Sequence, residues 1–331
     1  MGRFYLSAQD SDVQPQPSSE KKGRKRLYIG SVIIVAVLIF ILLNLQPIIA
    51  FLQNLVVVLP ISYSHEELVA YTLALINADR TKFGRSNVTL SPVSSGQEHA
   101  DDMLSQHFFS HWDTAGLKPY MRYTLAGGVG VVQENVAWEY GTGPFDVKES
   151  LRYLESLMMY NDSAWNWGHR DNILDQYHNR VSIGVSYDRN NVYLVQDFEN
   201  EYIQWSTLNV TQAGEVTMEG TLTISQTPLR WVSIYYDPLP TNLSTAQLKM
   251  YPYNESYSSG TFVGMALPPG YTTLGITITA QTWSQTGSSF QIRFSLSKAF
   301  NAYGAGVYTL YLQPDPSSMR DPLTSYSAWL L

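Results

Sequence analysis

The amino-acid sequence predicts an α+β protein with a single N-terminal transmembrane helix, a helix-rich middle domain and a C-terminal antiparallel β-sandwich. Three observations lead to this fold class. An uncharged apolar run fills residues 27–43, apolar residues recur at helical spacing between residues 64 and 160, and apolar and polar residues alternate after Trp205. The chain has 331 residues, of which 44% are hydrophobic. That length suits about two domains, each with its own core.

The N-terminal part of the sequence is typical of a membrane anchor. Residues 1–26 form a basic tail that contains KKGRKR, and residues 27–49 begin with the apolar segment LYIGSVIIVAVLIFILL. About 20 apolar residues span the hydrocarbon layer, and a basic flank favours the cytoplasmic side. We therefore expect a single-pass signal anchor at residues 27–49, a cytoplasmic N-terminus, a juxtamembrane linker at residues 50–63, and extracellular domains on the cell membrane. A cleaved signal peptide is the alternative, but its apolar region is normally shorter and ends at a small-residue cleavage site.

Composition excludes several classes of function. The net charge is −7, and basic residues cluster before the apolar run, so the remainder of the chain is strongly acidic. A nucleic-acid-binding protein normally presents a basic face, and we therefore expect no nucleic-acid partner. The chain has no cysteine, which excludes disulfides, thiolate nucleophiles and cysteine metal ligands.

Residues 64–204 are predicted to form a mixed domain of helices around a β-hairpin. The first helix, over residues 64–81, has apolar residues on one face, and Ser64 is followed three residues later by Glu67 as in a capping box. The segments VSIGVSY and VYLVQDF flank the turn sequence DRNN, which is the pattern of a hairpin. Two further helices and the hairpin are predicted at residues 94–106, 146–160 and 181–198.

Residues 205–331 are predicted to form the β-sandwich. Apolar and polar residues alternate in five segments, and turn sequences such as LPPG lie between them. Short alternating strands separated by turns are typical of antiparallel sandwiches. The segments are 215–224, 230–236, 272–280, 289–296 and 306–312. No group of chemically active residues stands out here, so a spacer or an adhesive surface is the expected role.

Two histidines lie among large apolar rings. His111 occurs in HFFSHWD, and His169 follows Trp165 and Trp167 in AWNWGHR. A partly buried imidazole requires a hydrogen-bond partner, because an unpaired buried polar group costs about 1–3 kcal/mol. Glu134, in VVQENVAW, is the candidate carboxylate. Two imidazoles and one carboxylate could bind a zinc-like divalent metal or transfer protons near neutral pH, although a histidine taken alone is more often a surface or satisfied core residue than a functional one.

Other short sequence patterns give weaker support for a metal-binding, nucleotide-binding or catalytic site. His107 and His111 are four residues apart, but the H-E-x-x-H motif of zinc proteases is absent. The glycine-rich LAGGVGVV at residues 125–132 lacks the flanking strand and helix of a dinucleotide-binding loop, so it predicts an ordinary loop. No G-x-S-x-G sequence occurs, and a serine nucleophile is unsupported.

Several segments occur in an order that resembles the CAP superfamily (cysteine-rich secretory, antigen 5, pathogenesis-related-1), also called the SCP domain. They lie across residues 64–203 and read LVAYTLALINADRTKFG, QEHADDMLSQHFFSHWD, KPYMRYT, QENVAW, WGHRDNIL and VYLVQDFEN. The chain is most similar to the cysteine-free prokaryotic branch. The resemblance implies that residues 64–204 fold as an α-β-α sandwich.

The resemblance also implies a central cleft lined by two histidines and two glutamates. His111, Glu134 and His169 occupy three of these positions, and the same three residues are the possible metal ligands. Glu155 is the candidate for the second glutamate, and Ser156 competes for that place under a one-residue shift. Gln133 stands where the family motif has a glycine.

The resemblance leaves three functions open. The first is a membrane-anchored extracellular module that binds a lipid-like small ligand or a divalent metal in the cleft. The second is a metal-assisted, protease-like hydrolase in which the cleft residues activate water. The third is a structural cell-envelope or adhesion protein. We favour the first because neither a nucleophile nor a complete metal-ligand set is visible.

Five N-x-[ST] sequences predict sites of N-glycosylation. Such sites are used in extracellular proteins, so they agree with the expected location. The candidate asparagines are Asn87, Asn161, Asn209, Asn242 and Asn254.

Overall fold

The chain divides into two compact units, residues 1–59 and residues 60–331. The structure, a computed structural model, describes residues 34–45, 62–142, 146–224 and 227–331. In the first unit, residues 34–45 form helix α1, whose residues are exposed. The predicted basic tail (1–26) and most of the predicted linker (50–63) lie outside the described residues.

The transmembrane helix predicted for residues 27–49 requires correction. Within the described ranges, no helix is both long enough and apolar enough to cross a membrane. Helix α1 is the described part of that segment, and it is shorter than the about 20 residues that span a bilayer. The predicted fold class was wrong on this point. What the structure shows is a mixed α/β fold with several sheets.

The first sheet of the second unit has four strands. Its strands are β1 (Thr89–Leu90), β2 (Val131–Tyr140), β3 (Arg180–Tyr187) and β4 (Asn191–Asn200). They lie in the order β1-β3-β4-β2, with β1 parallel to β3 and the other pairs antiparallel. Strand β2 therefore stands at one edge of this sheet.

Helices cover both faces of the first sheet. They are α2 (His65–Lys82), α3 (Ser95–Gln106), α4 (Pro119–Leu125), α5 (Val147–Tyr160) and α6 (Gly168–Ile173). On one face, Leu68 of α2 and Leu151 of α5 share an apolar cluster with Leu194 of β4. On the other face, Met103 of α3 packs with Val195 of β4. The sheet therefore lies between two helical layers.

The predicted helices and hairpin of this domain are confirmed. Ser64 Oγ accepts a hydrogen bond from the Glu67 backbone N–H, and the Ser64 N–H donates to the Glu67 carboxylate, which completes the capping box at the start of α2. The other two predicted helices correspond to α3 and α5, and the predicted hairpin corresponds to β3 and β4.

The remaining strands enclose a second apolar core. They are β5 (Ile203–Val210), β6 (Glu215–Leu222), β7 (Leu229–Asp237), β8 (Thr261–Leu267), β9 (Ile276–Thr279), β10 (Thr282–Thr286), β11 (Ser289–Ser295), β12 (Gly306–Pro314) and β13 (Ser325–Leu330). Short helices α7 (Thr245–Leu248) and α8 (Ser297–Tyr303) lie between them. The strands form sheets of order β10-β11-β6-β5 and β13-β12-β7-β8-β9. Met218, Ile292 and Leu310 belong to one core that both sheets share.

The strand content differs from the sequence prediction in two respects. Strands β8 and β9 pair in parallel, so the C-terminal region is not purely antiparallel. Strands β5, β8, β10 and β13 were not predicted, because serine, threonine and glycine interrupt the alternation in their sequences. The glycine-rich segment at residues 125–132, predicted as a loop, runs into strand β2 at Val131.

The C-terminal region packs directly on the helical layer. The Tyr120 hydroxyl of α4 donates to Asp237 Oδ2 at 2.7 Å, and Lys118 Nζ lies 2.8 Å from Asp237 Oδ1. Val307 of β12 shares an apolar cluster with Tyr120 and Tyr123. Both regions belong to the unit formed by residues 60–331. The boundary between residues 204 and 205 stays a prediction.

Candidate functional site

An open cleft of about 520 Å³ lies along the edge strand β2. Residues 133–138 of β2 line it, and since the side chains of a strand alternate between its faces, the cleft reaches both layers of the domain. His111, Glu134 and His169 all line this cleft. Its apolar lining includes Phe109, Val136, Trp138, Leu157, Met158 and Trp165.

His111 lies between α3 and α4, and a carboxylate holds its ring. Nδ1 of His111 is 2.8 Å from Oε1 of Glu134. An ionised carboxylate only accepts hydrogen bonds, so Nδ1 carries the hydrogen and Nε2 is left on the side of the ring away from Glu134. The ring of Tyr257 packs against the imidazole with 5.0 Å between centroids. Both contacts restrict the orientation of His111.

Glu134 is buried and uses both of its carboxylate oxygens. Its Oε2 accepts a hydrogen bond of 2.5 Å from an Nη2–H of Arg122. Burial by itself would raise the pKa of this carboxyl, but the Arg122 guanidinium, with help from His99 and His111, lowers the pKa of Glu134 to about 2. Glu134 is therefore ionised at neutral pH and fixes the proton of His111 on Nδ1.

His169 lies in the first turn of α6 and is held by Asp162. Nδ1 of His169 is 2.7 Å from Asp162 Oδ1. The backbone N–H groups of His169 and Arg170 donate to Asp162 Oδ2 at 2.9 and 3.2 Å. The ring of Trp165 meets the imidazole edge-on at 6.3 Å between centroids. Asp162 therefore both starts the helix and orients the histidine, and Nε2 is again the free side of the ring.

Three functional residues were missed by the sequence reasoning. Asp162 could have been found as an acidic residue shortly before the first turn of a helix, where carboxylates accept from free N–H groups. Arg122 carries no local pattern that identifies it. Tyr257 comes from the C-terminal region, which was expected to act as a spacer or adhesive surface, yet residues 254–257 line the cleft. The phenol oxygen of Tyr257 accepts from the Glu134 backbone N–H at 3.2 Å.

Glu155 is placed behind the cleft wall. Its side chain is buried in α5, and its neighbours Leu154, Leu157 and Met158 line the cleft. Oε2 of Glu155 accepts from Nε2 of Gln196 at 2.5 Å, while burial raises the pKa of Glu155 to about 8. Ser156, the competing position, is exposed. The carboxylate that reaches His169 is that of Asp162.

The cleft histidines fit a metal ion better than Glu134 does. Across the described ranges, no group of three His, Cys, Asp or Glu side chains is placed to hold a metal. Glu134 could become a ligand only by releasing His111 or Arg122. Within the described residues, the Nε2 atoms of His111 and His169 remain available. Histidines whose other nitrogen donates to a carboxylate are the usual metal-binding form.

The five candidate glycosylation sites are all exposed. Asn161 and Asn254 also line the cleft. A glycan on either of them would lie at the cleft and restrict what enters it. Their glycosylation stays a prediction.

A known family model matches part of the chain. Residues 73–198 match the family model described as CAP: Cysteine-rich secretory protein family. This is less than half of the chain. A comparison with curated proteins finds no match.

Several solved structures are similar to part of the chain. The CAP domain of enterococcal PrgA has 18% identity and a TM-score of 0.32, over 43% of this chain and 64% of that one. An extracellular SCP-domain protein from Bacillus anthracis has 19% identity and a TM-score of 0.31, over 42% of this chain and 45% of that one. An outer surface protein from Borrelia burgdorferi has 11% identity and a TM-score of 0.32, over 42% and 97% of the two chains. The chain thus matches less than two thirds of the length of the first two proteins.

Proposed function

We propose that the protein is a binding module that holds a small amphipathic ligand in its cleft. The premise is the match of residues 73–198 to the CAP family model. One observation supports the proposal most: a single cleft combines an apolar wall with two carboxylate-held imidazoles. Ligand sites are commonly apolar cavities of about 300–1,000 Å³ with a few fixed polar groups. The cleft of about 520 Å³ lies within that range.

The polar end of the ligand is inferred from the two imidazoles. In their neutral form both rings carry the hydrogen on Nδ1, because Glu134 and Asp162 accept there. Each Nε2 then presents a lone pair, which accepts a hydrogen bond. A hydroxyl group donates one hydrogen bond without carrying a charge, so one hydroxyl pairs with one Nε2, and a head group with two hydroxyls supplies a donor to each. We therefore take the ligand to be a lipid-like molecule with a hydroxyl head, such as a long-chain alcohol or a monoacylglycerol.

The apolar end of the ligand is inferred from the apolar side chains that line the same cleft. Trp138, Leu157 and Trp165 present apolar surface to the cleft, and Trp165 is 56% exposed. Burying apolar surface of a ligand contributes about 25 cal/mol per Å². An acyl or alkyl chain lying on this wall would remove exposed apolar surface from both partners. The proposal includes an extracellular location, because the family is named for secretory proteins.

Equilibrium binding tests the proposal. A fluorescent long-chain alcohol is titrated into the unit formed by residues 60–331, and the alkane of equal length serves as the probe without a head group. The alcohol should bind saturably and the alkane more weakly. Trp165→Ala should weaken binding by about tenfold, equivalent to 1.4 kcal/mol. Trp167→Ala is the matched control, since Trp167 is also partly exposed but does not line the cleft.

Two results would overturn the proposal. One is the absence of saturable binding of any hydroxyl-bearing amphiphile to the intact unit. The other is an equal loss of affinity in Trp165→Ala and Trp167→Ala, which would place the ligand outside the cleft.

A divalent metal is the second candidate ligand, because both Nε2 atoms have the carboxylate-held geometry of metal-binding histidines. The residues that fit are His111 and His169, with water completing the coordination. Metal content of the purified protein after zinc loading should fall to background in His169→Ala. The metal-assisted hydrolase hypothesis depends on this result and stays a prediction, as does the structural hypothesis.

A further inference from the structure

A second pocket lies beside Arg122, outside the cleft. Its volume is about 180 Å³, and its lining includes His99, Arg122 and Leu125. The same Arg122 holds Glu134 through Nη2. This pocket is not part of the cleft, since none of the three residues lines it. What it can bind follows from the residues that line it and from their unpaired polar atoms.

His99 brings an unpaired hydrogen-bond acceptor to the pocket. The side chain is fully buried, and its Nε2 lies 2.8 Å from the carbonyl oxygen of Ser110. A carbonyl only accepts, so the hydrogen of His99 resides on Nε2 and Nδ1 presents a lone pair. Among the residues that the structure describes, that Nδ1 has no hydrogen-bond partner. Burial, assisted by Arg122, lowers the pKa of His99 to about 3, which keeps the ring neutral.

Arg122 brings an unpaired donor to the same pocket. Its Nη1 donates to the carbonyl oxygens of His111 and Leu117, and its Nη2 donates to Glu134. Its Nε–H is buried and has no hydrogen-bond partner within the described part of the chain. An unpaired buried polar group costs about 1–3 kcal/mol, so an occupant that pairs with both nitrogens would be favoured. A hydroxyl group can do this, because it donates one hydrogen bond and accepts others.

The charge of the pocket favours a cation. Three carboxyl residues, Glu98, Asp102 and Asp113, belong to its lining. The positive charge of Arg122 is offset by its ion pair with Glu134. Burial raises the pKa of Asp113, and Glu98 and Asp102 are the more exposed carboxyl groups of the three. The carboxyl groups of the lining therefore give the pocket net negative character.

We propose that this pocket binds a small protonated amino alcohol, with ethanolamine as the simplest example. Its hydroxyl donates to Nδ1 of His99 and accepts from the Nε–H of Arg122. Its ammonium group lies near the carboxylates of Glu98 and Asp102. The volume of about 180 Å³ admits a molecule of this size. The site is separate from the cleft, so it does not depend on the ligand proposed there.

Calorimetric titration of the full chain tests the chemistry of this pocket. Ethanolamine is compared with ethylamine, which lacks the hydroxyl, and with ethylene glycol, which lacks the charge. Ethanolamine should bind one site at least about tenfold more tightly than either analogue, a difference of 1.4 kcal/mol. Glu98→Gln should weaken ethanolamine binding severalfold and leave the binding of ethylene glycol unchanged.

A pocket-filling variant tests the location. Leu125 lines the pocket and is 60% exposed, so Leu125→Trp should narrow the pocket without disturbing the core. It should abolish ethanolamine binding. Leu90→Trp is the matched control, because Leu90 is 42% exposed and lies outside the pocket. Thermal unfolding of both variants verifies that they are folded.

Three results would overturn this proposal. They are the absence of ethanolamine binding, equal binding of ethanolamine and ethylene glycol, and unchanged binding in a folded Leu125→Trp variant. The first of these would mean that the pocket holds ordered water only. None of them would alter binding of a long-chain alcohol in the cleft, so the two proposals fail separately.

Discussion

At the level of a single side chain, Asp162 holds both the His169 ring and the start of α6. It accepts hydrogen bonds from Nδ1 of His169 and from two backbone N–H groups of α6. Asp162→Ala should therefore release both the imidazole and the helix start. We expect a loss of about 1–3 kcal/mol in the free energy of unfolding, because these groups lose their partner in a partly buried place. Urea unfolding measures the change.

Asp171→Ala is the matched control for Asp162. Asp171 lies in the first turn of the same helix but is exposed. Asp171→Ala should lower the free energy of unfolding by less than about 0.5 kcal/mol, as is usual for surface substitutions. Equal losses in the two variants would mean that Asp162 acts only through the charge it places near the helix start.

Glu155 makes the stability of the protein depend on pH. Burial raises the pKa of Glu155 from 4.5 to about 8, so the folded state keeps a proton that the unfolded state releases. The free energy of unfolding therefore falls as the pH rises from about 4.5 to 8, by up to about 1.4 kcal/mol per pH unit for one such group. Glu155→Gln removes the carboxyl group and with it this pH dependence of the free energy of unfolding. The variant should gain stability relative to the native protein between pH 5 and pH 8.

Denaturant unfolding at several pH values checks the Glu155 prediction. Glu149→Gln is the control, because Glu149 is 60% exposed on the same helix. The free energy of unfolding of Glu149→Gln should change with pH in the same way as that of the native protein. A constant difference between Glu155→Gln and the native protein across this range would show that Glu155 is ionised in the folded state.

At the level of the element, strand β2 shows why part of the site could not be predicted. Most of its residues are buried on both faces, so Val131–Tyr140 lacks the alternation that identifies a half-exposed strand. Glu134 was nevertheless recognised, because a charged residue within an apolar segment stands out in the sequence. The helices α2, α3 and α5 were recognisable from their caps and periodicity, which are local properties.

Arg80 orders the segment that connects α6 with β3. It is fully buried, and it donates to the backbone carbonyls of Ile173, Asp175 and His178 as well as Ser86. Lysine cannot reach all four carbonyls, so Arg80→Lys should leave buried acceptors unpaired. We expect a loss of at least about 3 kcal/mol in the free energy of unfolding.

Arg85→Lys provides the comparison for Arg80, because Arg85 is exposed. Urea unfolding of both variants should show a large shift of the midpoint for Arg80→Lys alone. A midpoint within experimental error of the native value in Arg80→Lys would contradict the role assigned to the buried guanidinium.

At the level of the whole molecule, the C-terminal region completes the cleft. Tyr257 packs on His111 and binds the backbone of Glu134, although more than a hundred residues separate them in the chain. No local pattern could reveal such a contact. The sequence did indicate where the helical domain and the strand-rich region lie, since each has its own periodicity.

A chain that ends at residue 204 tests this dependence. It would lose Leu243, Leu248 and Val307, which belong to apolar clusters shared with the first sheet. We expect the shortened protein to aggregate or to lack a cooperative thermal transition by circular dichroism. A soluble monomer with the thermal midpoint of the intact unit would show that the helical domain is stable without the C-terminal strands.

The central claim is that His111 and His169 contact one ligand in the cleft that both of them line. Titration of a long-chain alcohol into residues 60–331 with ¹³C-labelled histidine measures this directly by NMR. The account predicts that the Cε1–Hε1 signals of both His111 and His169 shift with the same midpoint, while that of exposed His65 does not. A shift of only one cleft histidine, or two different midpoints, would contradict a shared ligand site.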